Sequence, residues 1–127
     1  MTDAQLAAKL QSRFDDVCAT EEASELLEGN PLGQDFVLDY GSDEPITVSM
    51  TPHSSNIDVE IGAPQQPVEF QTSRIDLTED VLRDLIAGEF LSTYYLTGEI
   101  TIEGLQPAWL RLGRLFGINH ELLRESN

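Results

Sequence analysis

Residues 76–116, DLTEDVLRDLIAGEFLSTYYLTGEITIEGLQPAWLRLGRLF, decide the fold because they place a capped helix, an aromatic segment and one alternating strand in a fixed order. Asp76 and Thr78 can cap a helix that has acidic residues in its first turn, and Gly88 can end that helix. Its apolar face consists of Val81, Leu82, Leu85 and Ile86. An amphipathic helix of about two turns is therefore predicted here.

The segment after this helix is aromatic-rich from Phe90 to Leu96, and we expect an aromatic turn there. Ile100 and Ile102 then alternate with polar residues in GEITIEG, which is the period of a half-buried strand. Pro107 is suited to the first turn of a closing helix.

This order resembles the C-terminal third of the sterol carrier protein 2 (SCP2) family of small lipid-binding domains. The resemblance rests on AGEF at 87–90, on LTGEITIEG at 96–104, and on the spacing between Gly88 and Gly98. The family typically has GKIKIEG in the strand, whereas Glu99 and Thr101 replace both lysines here. The resemblance implies an SCP2-like fold.

The N-terminal segment is predicted to be helical. Thr2 and Gln5 have the spacing of a capping box, and one apolar face is formed by Leu6, Leu10, Phe14 and Val17. A second short helix is expected from Glu21 to Leu27, with Thr20 as its cap.

The middle of the chain, from Phe36 to Thr72, alternates in four short runs separated by turn signals, which predicts an antiparallel meander. The apolar positions of these runs are Phe36, Leu38 and Tyr40; Ile46, Val48 and Met50; Ile57, Val59 and Ile61; Val68 and Phe70. The Ile100–Ile102 strand is expected to be the fifth. Residues 1–127 are therefore predicted to form one α+β domain, a five-stranded, largely antiparallel sheet with helices covering one face.

The charge excludes some partners. The chain carries 23 acidic and 7 basic groups, a formal charge of −16, and Lys9 is its one lysine. Such a surface repels nucleic-acid phosphates and anionic lipid headgroups, so we expect no nucleic-acid partner and no stable membrane insertion. The absence of an apolar run of about 18 residues and the single Cys18 favour a cytoplasmic protein. Our hypothesis is an acidic, halophilic protein of the haloarchaeal type.

The resemblance implies a tunnel between the sheet and the C-terminal helices that takes up a hydrophobic small molecule. We therefore expect non-enzymatic lipid binding or lipid transport, with a fatty acyl, isoprenoid or sterol-like ligand. The candidate ligand-binding residues are Phe70, Phe90, Leu91, Tyr94, Tyr95, Ile102, Trp109, Leu112 and Phe116. Tyr94 and Tyr95 are adjacent and cannot share a helix face, so at least one hydroxyl should reach solvent or a cavity.

Two alternatives stay open at this point. The fold can serve as an interaction or accessory module, with Leu122 and Leu123, after Asn119 as a cap, forming an amphipathic tail that docks on its own body, seals the tunnel or makes a homodimer. An enzyme acting on an activated acyl substrate is recommended by fold analogy alone.

Residues that could act in catalysis, metal binding or anion binding are expected to have structural or surface roles instead. No common nucleophile, phosphate or metal motif occurs, so no catalytic residue, metal or cofactor is predicted. His53 and His120 are expected at the surface, and the acidic pairs and runs, Asp15 with Asp16 and Glu21 with Glu22 and Glu25, in hydrated faces. For Arg111 and Arg114 we prefer an interaction with the helix dipole over binding of an anionic headgroup.

The halophilic hypothesis predicts that potassium chloride raises the thermal midpoint. At about 1 M salt the Debye length is about 3 Å, so repulsion among the acidic groups is screened. The measurement is a thermal melt across a potassium chloride series. A midpoint that does not depend on salt would remove the hypothesis.

Overall fold

The helices and the sheet form two layers around one core. The computed structural model describes residues 3–28, 36–39, 47–52, 57–61, 73–104 and 106–126. Its elements, in chain order, are α1 (Asp3–Cys18), α2 (Glu21–Glu28), β1 (Phe36–Asp39), β2 (Thr47–Pro52), β3 (Ile57–Ile61), β4 (Ser73–Asp76), α3 (Glu79–Ile86), α4 (Leu91–Thr97), β5 (Thr101–Glu103) and α5 (Gln106–Ser126).

The α+β character is as predicted, but the described chain is more helical than expected. The segment predicted as an aromatic turn forms α4. The strands are short, since β1 and β4 have 4 residues each and β5 has 3. They pair in the order β3-β2-β1-β4-β5.

The predicted meander is wrong in one respect. β1 pairs with β2 and β2 with β3 as antiparallel neighbours, but β4 lies parallel to β1, with Phe36 opposite Ser73. β5 then pairs antiparallel to β4. The fourth strand was predicted around Val68 and Phe70, which lie outside the described residues.

A side chain of α1 occupies the outer edge of β3. The Gln11 amide donates to the Ile57 carbonyl at 2.8 Å and accepts from the Val59 N–H at 2.7 Å. These are the outward backbone groups that an added strand would use. α1 thus contacts this edge, and the next described strand, β4, pairs with β1.

Helix termini and buried faces follow the predicted pattern. The apolar face of α1 is buried as expected, and Thr20 accepts a hydrogen bond from the Ala23 N–H at the start of α2. Thr78 caps α3 by accepting from Val81, whereas Asp76 belongs to β4. In the core, the rings of Phe14 and Phe116 meet edge to face at 5.4 Å.

The same glycine motif ends α3 and α4. The N–H groups of Gly88 and Glu89 donate to Leu85 and Asp84, and those of Gly98 and Glu99 donate to the corresponding carbonyls of α4. Both glycines have positive φ, +109° and +78°. This is the Schellman arrangement, in which glycine avoids the steric penalty of a left-handed residue.

The C-terminal half of α5 is fixed on the turn between α3 and α4. Asn119 is 2% exposed and donates to the carbonyls of Leu85 and Ile86, while its oxygen accepts from Arg13 at 2.6 Å. His120 donates through Nδ1 to the Gly88 carbonyl at 2.8 Å. The hydrogen bonds thus join α5 to α1 and α3.

Two predictions for this region are wrong. Asn119 does not cap a separate tail, because α5 is continuous from Gln106 to Ser126. His120 is half-buried and hydrogen-bonded rather than solvated; His53 lies outside the described residues. Of the uses expected for Leu122 and Leu123, docking on the protein's own body agrees with the structure, because Leu122 packs against the core and Leu123 lies against Gly88.

Replacing Gly88 by Ala should destabilise the protein more than replacing Gly98 by Ala. Both changes place a side chain at positive φ, at about 1–2 kcal/mol each, but a Cβ at Gly88 would also lie 3.0 Å from Leu123 Cδ1, whereas none of the surrounding atoms lies within 4 Å at Gly98. The measurement is the free energy of unfolding in urea. Equal losses in the two variants would contradict the close packing of α5 on this turn.

Tyr94 links α4 to α3 and should titrate late. Its hydroxyl donates to Asp84 at 2.9 Å. Burial, followed by the hydrogen bond and charge of Asp84, raises the pKa of Tyr94 from 10.0 to about 12. Since the folded state favours the neutral phenol, the stability contributed by this group is complete below about pH 10 and is lost as the pH rises toward about 12.

A phenolate absorbance titration tests this shift. The rise in phenolate absorbance that is missing from Tyr94→Phe belongs to Tyr94. It should lie near pH 12 in the wild type and move to lower pH in Asp84→Asn. Finding that rise at the ordinary value in the wild type would refute the interaction.

Candidate functional site: a groove between α2, α4 and α5

A groove of about 660 Å³ lies between α2 and the first half of α5, with the start of α4 and one residue of β5 at its side. We call it the helical groove. It is partly open to solvent. Its lining residues are Glu25, Leu26, Phe90, Leu91, Ser92, Tyr95, Ile102, Leu110, Arg111, Gly113, Arg114 and Gly117.

The face that α5 presents to this groove has little side-chain volume. Leu110, Gly113, Arg114 and Gly117 have the i, i+3, i+4, i+7 spacing of one helix face. A Cβ built at Gly113 or at Gly117 would meet no atom within 4 Å beyond their own helix backbone. The two glycines therefore leave open the space that larger side chains would occupy.

The core face of α5 is a different face of the same helix. Leu112, Leu115 and Phe116 are at most 1% exposed. α5 is thus packed on one side and lines the groove on another.

The ring of Phe90, which contacts His120 of α5, lies at the α4 end of the groove. The rings of Phe90 and His120 lie 4.3 Å apart, and His120 is in turn bonded to the Gly88 carbonyl. Phe90 nevertheless remains 40% exposed, and Tyr95 46%. Both rings therefore present apolar surface at the groove.

The structure brings together four of the nine residues predicted for the ligand site. Phe90, Leu91, Tyr95 and Ile102 line the helical groove. Tyr94, Leu112 and Phe116 are buried in the core instead. Phe70 lies outside the described residues, and so does the side chain of Trp109, whose backbone belongs to α5.

Sequence reasoning missed the residues that create the volume. Gly113 and Gly117 are spaced by one helical turn inside a 21-residue helix, where each glycine costs about 1 kcal/mol relative to alanine. Paired glycines on one face of a helix indicate close packing or a function. That signal was present in the sequence, but which neighbour the face meets depends on the tertiary fold.

The two arginines of the groove correct another prediction. Arg111 and Arg114 lie in the first half of α5, far from its last turn, so the preferred interaction with the C-terminal helix dipole is wrong. Arg111 is half-buried and Arg114 exposed. Burial lowers the pKa of the Arg111 guanidinium.

A second recess of about 550 Å³ adjoins the helical groove and shares four of its residues, including Arg114. Carboxylates dominate it, because Glu22, Glu25 and Glu121 are all among its lining residues. We call it the acidic recess. Of the two cavities, the helical groove alone contains Arg111, and Arg114 lies at the boundary between them.

Groups that could act as nucleophiles or metal ligands lie elsewhere. Burial raises the pKa of the Cys18 thiol; a hydrogen bond from Ile57 opposes this and the nearby charge of Asp15 adds to it. A raised thiol pKa disfavours the nucleophilic thiolate. No three histidine, cysteine or carboxylate side chains cluster as a metal site among the described residues.

Within the part of the chain that the structure describes, none of the helices combines the length and the apolar composition of a membrane span.

Comparison with known proteins identifies the fold by structure alone. No family model matches the sequence, and no curated protein matches it significantly. Among solved structures, "UbiJ-SCP2 Ubiquinone synthesis protein" is 11% identical with a TM-score of 0.67, over 95% of this chain and 96% of that chain.

Two further similar structures come from insects. The solution structure of the sterol carrier protein domain 2 of Helicoverpa armigera is 16% identical with a TM-score of 0.63, over 92% of this chain and 87% of that one. That of palmitated SCP2L2 from Aedes aegypti is 12% identical with a TM-score of 0.62, over 91% and 95%. The chain therefore has an SCP2-like α+β fold.

Proposed function

We propose that the helical groove binds the apolar part of a lipid-like small molecule and that the protein is a non-enzymatic carrier of this ligand. The observation that carries the proposal is a groove of about 660 Å³ whose wall contains two helix-interior glycines facing open space. This volume is within the range of about 300–1,000 Å³ that small-molecule sites occupy. Fatty acyl, isoprenoid and sterol-like chains are the candidate ligands.

The lining favours an apolar guest. Phe90, Tyr95 and Leu110 are 40%, 46% and 48% exposed, and all three border the groove. Covering apolar surface of this kind stabilises a complex by about 25 cal/mol per Å² removed from water. A ligand lying along these residues gains that term without any rearrangement of the core.

The fold adds support of a weaker kind. Two of the similar structures are named as a sterol carrier protein domain and as a palmitated protein. The resemblance implied a tunnel between the sheet and the C-terminal helices. Our proposal places the ligand among α2, α4 and α5 instead, with Ile102 as the contribution of the sheet.

The acidic surface is part of the proposal. At a formal charge of −16, a carrier of this kind is suited to a salt-rich cytoplasm, where ions screen its self-repulsion. The charge also disfavours lasting contact with an anionic membrane. Delivery of the ligand by a brief encounter then fits better than residence on a bilayer.

A second candidate function is an accessory module whose groove receives a helix of a partner or of a second copy. Leu96, on α4 beside Tyr95, is 81% exposed, so apolar surface extends beyond the groove itself. One similar structure is named as a ubiquinone synthesis protein. Light scattering distinguishes the two functions, because a monomer that binds lipid argues for the carrier.

Filling the groove from α5 should weaken ligand binding without unfolding the protein. Gly113→Leu places a long side chain in the open space, whereas the matched control Gly113→Ala adds one methyl group and should raise the free energy of unfolding by about 1 kcal/mol. Binding of a fluorescent fatty acid is measured at high salt, and native mass spectrometry detects lipid that co-purifies with the wild type.

We expect the wild type and Gly113→Ala to bind and Gly113→Leu to fold but bind at least about tenfold more weakly. Full binding by the leucine variant would place the ligand elsewhere. No co-purifying lipid and no binding of fatty acids or sterols by the wild type would contradict the carrier function itself.

A further inference from the structure

We propose that the outer face of α4, at the rim of the helical groove, is a docking surface for a basic amphipathic helix of a partner protein. This inference goes beyond lipid binding and does not depend on which ligand the groove takes. We call the surface the α4 patch. It consists of the exposed apolar side chains Phe90, Tyr95 and Leu96, with Leu110 of α5 across the groove.

Exposed apolar side chains are concentrated at this surface. Among the described residues five large apolar side chains are exposed, and four of them form the α4 patch; the fifth, Ile61, lies on β3. Leu96 is the most exposed of the five, at 81%. Single apolar residues are ordinary on a protein surface, whereas a contiguous group marks an interaction site.

The helical groove does not account for the exposure of Leu96. Phe90, Tyr95 and Leu110 line the groove, but Leu96 does not. The buried face of α4 consists of Leu91 and Tyr94, so Leu96 projects from a different face. A lipid in the groove would leave this side chain in water, and covering it requires a second partner.

The border of the α4 patch is acidic. Glu89 precedes α4 and Glu99 follows it, and both lie close enough to Tyr94 that, after burial and Asp84, their charges help to raise its pKa. Glu99 accepts a hydrogen bond at 2.7 Å from the neutral Thr97 hydroxyl, so it keeps its charge. None of the ion pairs among the described residues involves Glu89 or Glu99.

Positive charge is missing from this part of the sequence. From Asp84 to Leu110 the chain has four acidic residues and no lysine, arginine or histidine. Arg111 and Arg114 follow Leu110 on α5, so basic residues begin only where the patch ends. A partner that brings cations to α4 therefore meets carboxylates there.

The charge of the border selects among the possible partners. A second copy of this chain would bring the same carboxylates to a two-fold interface, where like charges would meet. The border repels an anionic bilayer, and a neutral bilayer offers it no cation. A helix with lysine or arginine on either side of an apolar face covers Leu96 and also pairs with Glu89 and Glu99.

The length of α4 sets the size of that apolar face. α4 has 7 residues and therefore rises about 10 Å, or two turns. The matching partner helix has apolar residues over about two turns and a cation beyond each end of them.

The test uses a synthetic peptide of about four helical turns, with leucines at i, i+3, i+4 and i+7 and lysines in its first and last turns. A second peptide has the same composition but distributes the leucines around the helix. Binding to the full-length protein is measured by fluorescence anisotropy. Potassium chloride is kept at the lowest concentration at which the wild type is folded, because salt screens the charge pairs.

The variants separate apolar contact from charge. Leu96→Ser removes the apolar contact, and Glu89→Gln and Glu99→Gln each remove one border charge. The matched controls are Ile61→Ser and Glu60→Gln, at two exposed positions of β3. Binding of a fluorescent fatty acid is measured for the same proteins, and Leu96→Ser should retain it because Leu96 does not line the groove.

We expect the wild type to bind the amphipathic peptide at least about tenfold more tightly than the redistributed peptide. Leu96→Ser should weaken binding of the amphipathic peptide by about tenfold, and each glutamine variant at the border should weaken it by about threefold. Both controls should bind like the wild type. Added salt should diminish the effect of the glutamine variants and leave that of Leu96→Ser.

Four results would overturn the partner helix. Equal binding of the two peptides would show that charge alone attracts them, and wild-type affinity in Leu96→Ser would place the contact elsewhere. A wild-type dimer that Leu96→Ser makes monomeric in light scattering would assign the patch to a second copy. Binding to phosphatidylcholine vesicles that Leu96→Ser abolishes would assign it to a bilayer.

Discussion

The buried amide of Asn119 is the contact on which the arrangement of the helices depends. One side chain donates to the last carbonyls of α3 and accepts from Arg13 of α1, so three helices meet at a single group. Leaving such a group unpaired would cost about 1–3 kcal/mol, which makes alternative placements of α5 unfavourable. With its C-terminal half fixed in this way, α5 directs its glycine face toward α2 and α4 and thereby creates the helical groove.

This division of α5 separates stability from binding. Its core face carries Leu112, Leu115 and Phe116, while Gly113 and Gly117 contribute almost nothing to packing. Helix-interior glycines are unfavourable, and a helix selected for stability alone would have alanine or leucine at both positions. The volume beside α5 agrees with the proposed role of the helical groove in ligand binding. The acidic surface has a different role, which is to keep the exterior hydrated. The arginines that line the groove differ from this surface in the sign of their charge.

The sequence predicted local structure where the signal is local. The apolar face of α1, the Thr20 and Thr78 caps and the glycine end of α3 all depend on residues within one or two turns of each other. The parallel pairing of β4 with β1 could not be read in this way, because strands far apart in the sequence meet there, just as Gln11 meets the edge of β3 from 46 residues away along the chain. Likewise, Asn119 looks like a cap in the sequence and is a buried hub in the fold.

The candidate site was predictable only in part for the same reason. Aromatic residues near Gly88 were recognised as a set, yet a periodic pattern does not distinguish Tyr94, which is buried against α3, from Tyr95, which borders the groove. The spacing of Gly113 and Gly117 was visible in the sequence, but it does not show which element faces the two glycines.

The most direct test of ligand binding in the helical groove is an amide NMR titration with dodecanoate. We expect the largest changes in amide chemical shift at Gly113 and Gly117 and no change on the exposed face of α1. Shifts concentrated away from α5, or no shifts at saturating ligand, would contradict it.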